Sequence, residues 1–80
     1  MSYPYYWLPI YAKRLKTFFA SDIEDALKKD EIYFSMARIL VAIEYWINKS
    51  CIEVLDTKYV QKFGGNPIKK YIWIKDPDPE

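Results

Sequence analysis

Apolar residues recur every three or four positions between residues 33 and 48, which predicts an amphipathic helix with Asp30 as its cap. One stripe of this helix is apolar and is expected to face the core: Met36, Ile39, Leu40, Ile43, Trp46 and Ile47. A second stripe is mostly polar or small and is expected to face solvent: Ser35, Arg38, Ala42, Tyr45 and Lys49. Lys49 follows the last turn, where a positive charge complements the helix dipole.

Two further helices are predicted upstream. Pro9 suits the first position of a helix that runs to about Ala20. Ser21 is a good N-cap for a second helix over residues 21–27, and Glu24 stands where a capping box requires an acid. The following turn, residues 28–32, has to form without glycine or proline.

The last third of the chain has the alternation of β-strands. Apolar and polar positions alternate over residues 51–55 and 70–75, and residues 64–67, Gly-Gly-Asn-Pro, are a strong turn signal. Tyr59, Val60 and Phe63 make a further strand plausible between them. The predicted fold class is α+β, with three helices and a two- or three-stranded antiparallel sheet. We expect an aromatic arm over residues 1–8, one domain over 9–75 and an acidic, proline-rich tail over 76–80.

Composition excludes several classes of protein. Hydrophobic residues make up 51% of the 80 positions and aromatic residues 19%, which is too apolar for a disordered chain. Histidine is absent and Cys51 is the only cysteine, so the chain can form neither an internal disulfide nor a zinc site of His and Cys. We therefore expect Cys51 to be a core residue, and we expect no cofactor and no enzymatic activity, since general acid–base catalysis usually draws on histidine or a tuned carboxylate pair.

Localisation is inferred from the same data. No apolar run approaches the ~20 residues of a membrane span, and no signal peptide is recognisable at the N-terminus. A single cysteine suits the reducing cytoplasm, where we expect the protein to act. The scarcity of Asn and Gln is typical of proteins from hyperthermophiles.

The net charge of +1 conceals a partition along the chain. Residues 57–75 contain five lysines and no acid, whereas residues 21–31 contain five acids and two lysines. The predicted hairpin is therefore basic, and the predicted second helix is acidic. Lysines on a hairpin can contact phosphates, or they can protect an exposed strand edge from aggregation.

The order of elements resembles the winged helix-turn-helix family over residues 9–75. The resemblance rests on residues 22–27 (Asp-Ile-Glu-Asp-Ala-Leu), the longer helix that follows, residues 52–54 (Ile-Glu-Val) and the basic hairpin. It implies that the third helix enters the DNA major groove and that the hairpin contacts the flanking backbone. The implied DNA-binding residues are Ser35, Arg38, Ala42, Tyr45 and Lys49 on the helix and Lys62, Lys69 and Lys70 on the hairpin.

We therefore expect binding to double-stranded DNA, as a small transcriptional regulator. Arg38 is the expected base reader because a guanidinium can donate two hydrogen bonds to guanine, although a solvated arginine is the simpler interpretation. The alternative is a protein–protein interaction module within a larger assembly, which the acidic second helix favours. The N-terminal aromatic residues either cover the core or form a dimer or partner interface, and a homodimer is expected: Tyr3, Tyr5, Tyr6, Trp7 and Tyr11.

Overall fold

The computed structural model describes residues 4–58 and 68–77. Three helices and three strands follow one another in the order α1 (Trp7–Leu15), β1 (Thr17–Phe19), α2 (Ala20–Lys29), α3 (Met36–Asn48), β2 (Ile52–Lys58) and β3 (Ile68–Trp73). The three strands form one antiparallel sheet in the order β1-β3-β2. The expected α+β class, with three helices and an antiparallel sheet, is confirmed.

Strand β3 is the centre of the sheet. Its Tyr71 lies opposite Phe18 of β1 on one side and opposite Val54 of β2 on the other. One residue further along β2, the pairing shifts, so that Leu55 is the extra residue of a β-bulge. The side chain of Leu55, the middle residue of β2, is exposed.

The core lies between α3, α2 and the inner face of the sheet. From α3 it takes Ile39, Ala42, Ile43 and Trp46, and from α2 it takes Ile23 and Leu27. Phe18, Tyr71 and Trp73 close it from the sheet, and Cys51 is buried beside them. Each large apolar side chain buried in this way contributes about 1.5–3 kcal/mol to stability.

The first helix is shorter than predicted. It ends at Leu15 instead of near Ala20, because Lys16 has a positive φ of 67° that stops the helix. The residues after it form β1, where Phe18 is fully buried and Trp73 N donates to the Lys16 carbonyl. The helix also begins earlier, at Trp7, so it takes in the end of the expected N-terminal arm.

The predicted caps of the second and third helices are wrong. Helix α2 begins one residue before Ser21, and its N-terminus is closed by the Asp22 carboxylate, which accepts from Phe19 N at 2.8 Å. Asp30 ends α2 instead of capping α3. The cap of α3 is Ser35, whose Oγ accepts from Arg38 N at 3.2 Å.

The turn between α2 and α3 forms without glycine, as the sequence requires. Glu31 adopts a positive φ of 61°, and its N–H donates to the Lys28 carbonyl at 3.0 Å. The N–H of Ile32 donates to the Leu27 carbonyl, which completes the helix C-terminus. The strand proposed around Tyr59, Val60 and Phe63 and the turn at residues 64–67 lie outside the described residues.

Candidate nucleic-acid interface

The exposed face of α3 is apolar in its N-terminal half, apart from Arg38. Ala37, Val41 and Glu44 follow one another at spacings of four and three, so they form a line along the middle of this face. Leu40 lies on one flank of the line and Arg38 on the other. Val41 is 52% exposed and Leu40 is 45% exposed, so both present hydrocarbon to solvent.

This face differs from the predicted one. Ala42, which was expected to face the DNA, has no exposed surface and lies in the core, so that assignment is wrong. Leu40, which was expected in the core, is exposed instead. Tyr45 is half-buried, with its ring in edge contact with Trp46 at 5.1 Å. Ser35 remains exposed, but its hydroxyl caps the helix.

Arg38 is held by an aromatic ring and not by an acid. Its guanidinium lies 4.1 Å from the centroid of the Phe34 ring, a distance at which cation–π attraction is effective. Phe34 in turn packs against Trp7, with the ring centroids 4.8 Å apart. Within residues 4–58 and 68–77, no carboxylate forms an ion pair with Arg38. Its charge is therefore available to an anion from outside the chain.

A groove of about 290 Å³ separates the N-terminal half of α3 from β3. Its lining is largely apolar, with one cation: Phe19, Ala20, Ser21, Met36, Leu40, Ile68, Lys69 and Tyr71. Lys69 is exposed and shares this groove with Leu40. The groove therefore places a basic residue of the hairpin next to the outer face of α3.

The other predicted lysines are arranged differently. Lys70 alternates with Lys69 along the strand, and its Nζ lies 5.7 Å from the centroid of the Phe19 ring. The Nζ of Lys49 lies 5.7 Å from the centroid of the Tyr45 ring, on the flank of α3 that also carries Arg38. Lys62 falls outside the described part of the chain.

Glu44 is the acid of this surface. It lies one turn beyond Leu40, towards the C-terminus of α3. Burial raises the pKa of Tyr71 above the ordinary value of 10.0, and the negative charge of Glu44 raises this pKa further. The N-terminal half of α3 carries only the positive charge of Arg38, so the two halves of the helix differ in sign.

Three of the N-terminal aromatic residues belong to the chain's own core or pack against it. The carbonyl of Tyr5 accepts from Trp46 Nε1 at 3.0 Å, and Trp7 packs against Phe34. Tyr11 is buried, and its hydroxyl donates to Asp30 Oδ2 at 2.6 Å. This hydrogen bond, and secondarily burial, raises the pKa of Tyr11.

Tyr6 is the described residue of this group that faces solvent, with 66% of its surface exposed. Ile10, one helical turn further along α1, is 51% exposed. Tyr3 lies outside the described residues. An interface on this side of the molecule can therefore use Tyr6 and Ile10, whereas Tyr11 is buried.

Within residues 4–58 and 68–77, no three His, Cys, Asp or Glu side chains are grouped to hold a metal ion. None of the helices described is long and apolar enough to cross a membrane. No protein-family model, curated protein or solved structure matches the chain.

Sequence reasoning missed the residues that dominate this surface, namely Leu40, Val41 and Glu44. The signal for them was weak, because apolar residues occupy nearly every position of α3 between Met36 and Ile43. Such a helix has no clear polar side, so its pattern leaves the rotation about its own axis undefined.

Proposed function

We propose that the protein is a winged helix-turn-helix domain that binds double-stranded DNA and acts in the cytoplasm as a small transcriptional regulator. The order of the elements and the three-stranded antiparallel sheet are compatible with this family. In such a domain α3 enters the major groove, and the hairpin of β2 and β3 contacts the adjoining backbone.

One observation carries the proposal: two cations stand on opposite flanks of the exposed face of α3. Arg38 lies on one side of the line formed by Ala37, Val41 and Glu44, and Lys69 lies beyond Leu40 on the other. The major groove is about 12 Å wide and admits a helix, with a phosphate backbone along each wall. Cations on both sides of a helix therefore match the charge of the two walls.

The two cations are expected to act differently. Arg38 projects from the first turn of α3, where it can donate two hydrogen bonds to guanine or contact a phosphate. Lys69 belongs to a strand beside the helix, so it is expected to contact phosphate and to position the protein without reading sequence. Lys62 is expected to add a further phosphate contact.

The test is the salt dependence of DNA binding, measured by shift assays on random and specific duplexes over a series of salt concentrations. The slope of log K against log salt is negative, and each lost phosphate contact makes it shallower by about 0.9. Lys69→Gln is therefore expected to reduce the slope by about one, and Arg38→Gln is expected to reduce the slope or to relax sequence preference.

The matched control is Lys13→Gln, which removes the same charge from the C-terminal end of α1. Lys13 pairs with Asp76 and lies 5.9 Å from the ring centroid of Trp73, at the end of β3 away from Lys69. The substitution Lys13→Gln is expected to leave the salt slope unchanged. Absence of binding to any duplex at low salt would overturn the proposal, and so would equal effects of all three substitutions.

The exposed hydrocarbon of α3 favours a second candidate, a protein-interaction module within a larger assembly. Leu40 and Val41 are about half exposed, and Glu44 would oppose phosphate approach. Partner interfaces often bury such apolar side chains at their centre. Recovery of one stoichiometric protein partner, lost on Val41→Asp, together with no affinity for DNA, would establish this candidate in place of the first.

A further inference from the structure

In the N-terminal half of α3, the middle of the exposed face lacks hydrogen-bonding groups where a reader of base edges would carry them. Ala37 and Val41 occupy this position, and Leu40 lies beside them on the flank that faces Lys69 of β3. In the major groove, the apolar feature that distinguishes one base pair from another is the C5-methyl group of thymine. An apolar helix face can therefore discriminate between base pairs only where thymine is present.

We propose that α3 recognises thymine through its methyl group, with Val41 as the central contact and Ala37 and Leu40 beside it. This inference rests on the proposed DNA binding and specifies its ligand: duplexes with thymines in the contacted strand segment. Arg38, on the flank, is left to contact guanine or the backbone.

The properties of Val41 suit this contact. Its side chain is 52% exposed, so contact with a thymine methyl group removes apolar surface of both the valine and the base from water. Valine in a helix has one strongly preferred χ1 rotamer, so little side-chain freedom is lost on binding. The neighbouring Ala37 is small enough to let the helix approach the floor of the groove.

The charges around Ala37 and Val41 identify DNA as the occupant in preference to an apolar protein surface. Arg38 and Lys69 flank these residues on both sides, and within the described residues neither forms an ion pair. The one acid of the helix, Glu44, lies towards its C-terminal end, where it can accept from the amino group of cytosine. The N-terminal half of α3 is therefore expected to lie deepest in the groove.

The decisive experiment replaces thymine by uracil, which removes the C5-methyl group and leaves every hydrogen-bonding group in place. A duplex first selected from a random pool by the protein is synthesised with uracil at single positions. Each contacted methyl is expected to contribute about fourfold in affinity, from the transfer free energy of roughly one buried carbon group. Positions outside the footprint of α3 are expected to show no effect.

Val41→Ala provides the protein side of the test. The side chain is exposed, so the variant is expected to fold, which circular dichroism would check. It should bind the thymine duplex several-fold more weakly and should respond less to uracil than the wild type does, because contacting groups are energetically coupled. Val54→Ala, which truncates a comparably exposed valine of β2, is the matched control and should keep the full uracil effect.

The outcomes separate the two proposals. Binding to duplex DNA with full affinity after uracil replacement at every position would overturn thymine recognition and leave DNA binding intact. Absence of binding to any duplex at low salt would overturn the proposed function and this inference with it. An equal uracil effect in the wild type and in Val41→Ala would show that another part of the protein reads the methyl groups.

Discussion

At the scale of a single residue, Tyr71 belongs both to the core and to the groove beside α3. Its ring is buried in the centre of the sheet, while part of it lines the groove beside α3. Its pKa is raised first by burial and then by the negative charge of Glu44. Tyr71 therefore packs in the core, and its pKa depends on the charge of Glu44 on the exposed face of α3.

This raised pKa predicts a loss of stability at high pH. Below the ordinary tyrosine pKa of 10.0, Tyr71 is neutral in both the folded and the unfolded chain, and its contribution to stability is fully present. As the pH rises towards the higher folded pKa, the unfolded chain loses its proton first, so the free energy of unfolding falls. Tyr71→Phe should remove this part of the fall.

Urea denaturation at a series of pH values between about 9 and 11 would measure the effect. Glu44→Gln is the second variant, and it should weaken the pH dependence without abolishing it, because burial is the larger cause. Tyr11, whose pKa is also raised, remains in both variants and sets the background. Curves for the wild type and Tyr71→Phe that run parallel over this range would contradict the prediction.

At the scale of the element, α3 shows how far the sequence could predict the fold. The helix itself was evident from the spacing of Ile39, Ile43 and Trp46, all of which are buried. The rotation of α3 about its own axis could not be predicted, because Leu40 and Ala42 are both apolar and either can face the core. Packing decides between them: Trp46 makes an edge contact with Trp73 of β3, which turns Ala42 inward and Leu40 outward.

The three-residue strand β1 was missed for a different reason. Leu15, Phe18 and Phe19 have helical spacing, and no glycine or proline marks the break at Lys16. The strand exists because β3 offers a free edge to pair with and because Phe18 can then enter the core. The pairing partners lie more than 50 positions away, so local periodicity cannot reveal this strand.

Two serines near the N-termini of α2 and α3 give a direct test of the observed helix boundaries. Ser35 accepts from Arg38 N as the cap of α3, whereas Ser21 lies inside the first turn of α2 without a capping role. Ser35→Ala should therefore lower the free energy of unfolding by about 1 kcal/mol. Ser21→Ala should change it by less than about 0.5 kcal/mol, since alanine is the better helix former.

Denaturant unfolding of both variants would measure these differences, and the slope against denaturant should be unchanged if neither alters the folded surface. Equal effects at the two positions would contradict the assignment. A larger loss for Ser21→Ala would restore the cap expected from the sequence.

At the scale of the whole molecule, the relevant property is where the charged side chains lie on the surface. The net charge of +1 gives no general attraction to DNA, so affinity has to come from local placement. Arg38 and Lys69 were predicted as binding residues from sequence, but the groove that brings Lys69 beside α3 depends on how the sheet packs against the helix. The sequence alone could therefore predict where the two cations lie along the chain, but it could not predict that Leu40 and Val41 are exposed between them.

Self-association is the remaining prediction at this scale. Tyr6, the N-cap of α1, and Ile10 lie about one helical turn apart. Both expose hydrocarbon that the chain's own core does not cover. We expect two copies to bury this surface, so sedimentation at micromolar concentration should give twice the chain mass of 9.6 kDa. Ile10→Lys should return the mass to that of one chain, because a buried unpaired charge is costly.

Leu55→Lys is the matched control, since Leu55 is as exposed as Ile10 but lies at the bulge of β2. It should leave the dimer intact if α1 forms the interface. Dissociation by Leu55→Lys but not by Ile10→Lys would instead assign the interface to the edge strand β2. A wild-type chain that sediments as a monomer at micromolar concentration would contradict dimerisation altogether, and the proposed contact with DNA would then involve one copy of α3.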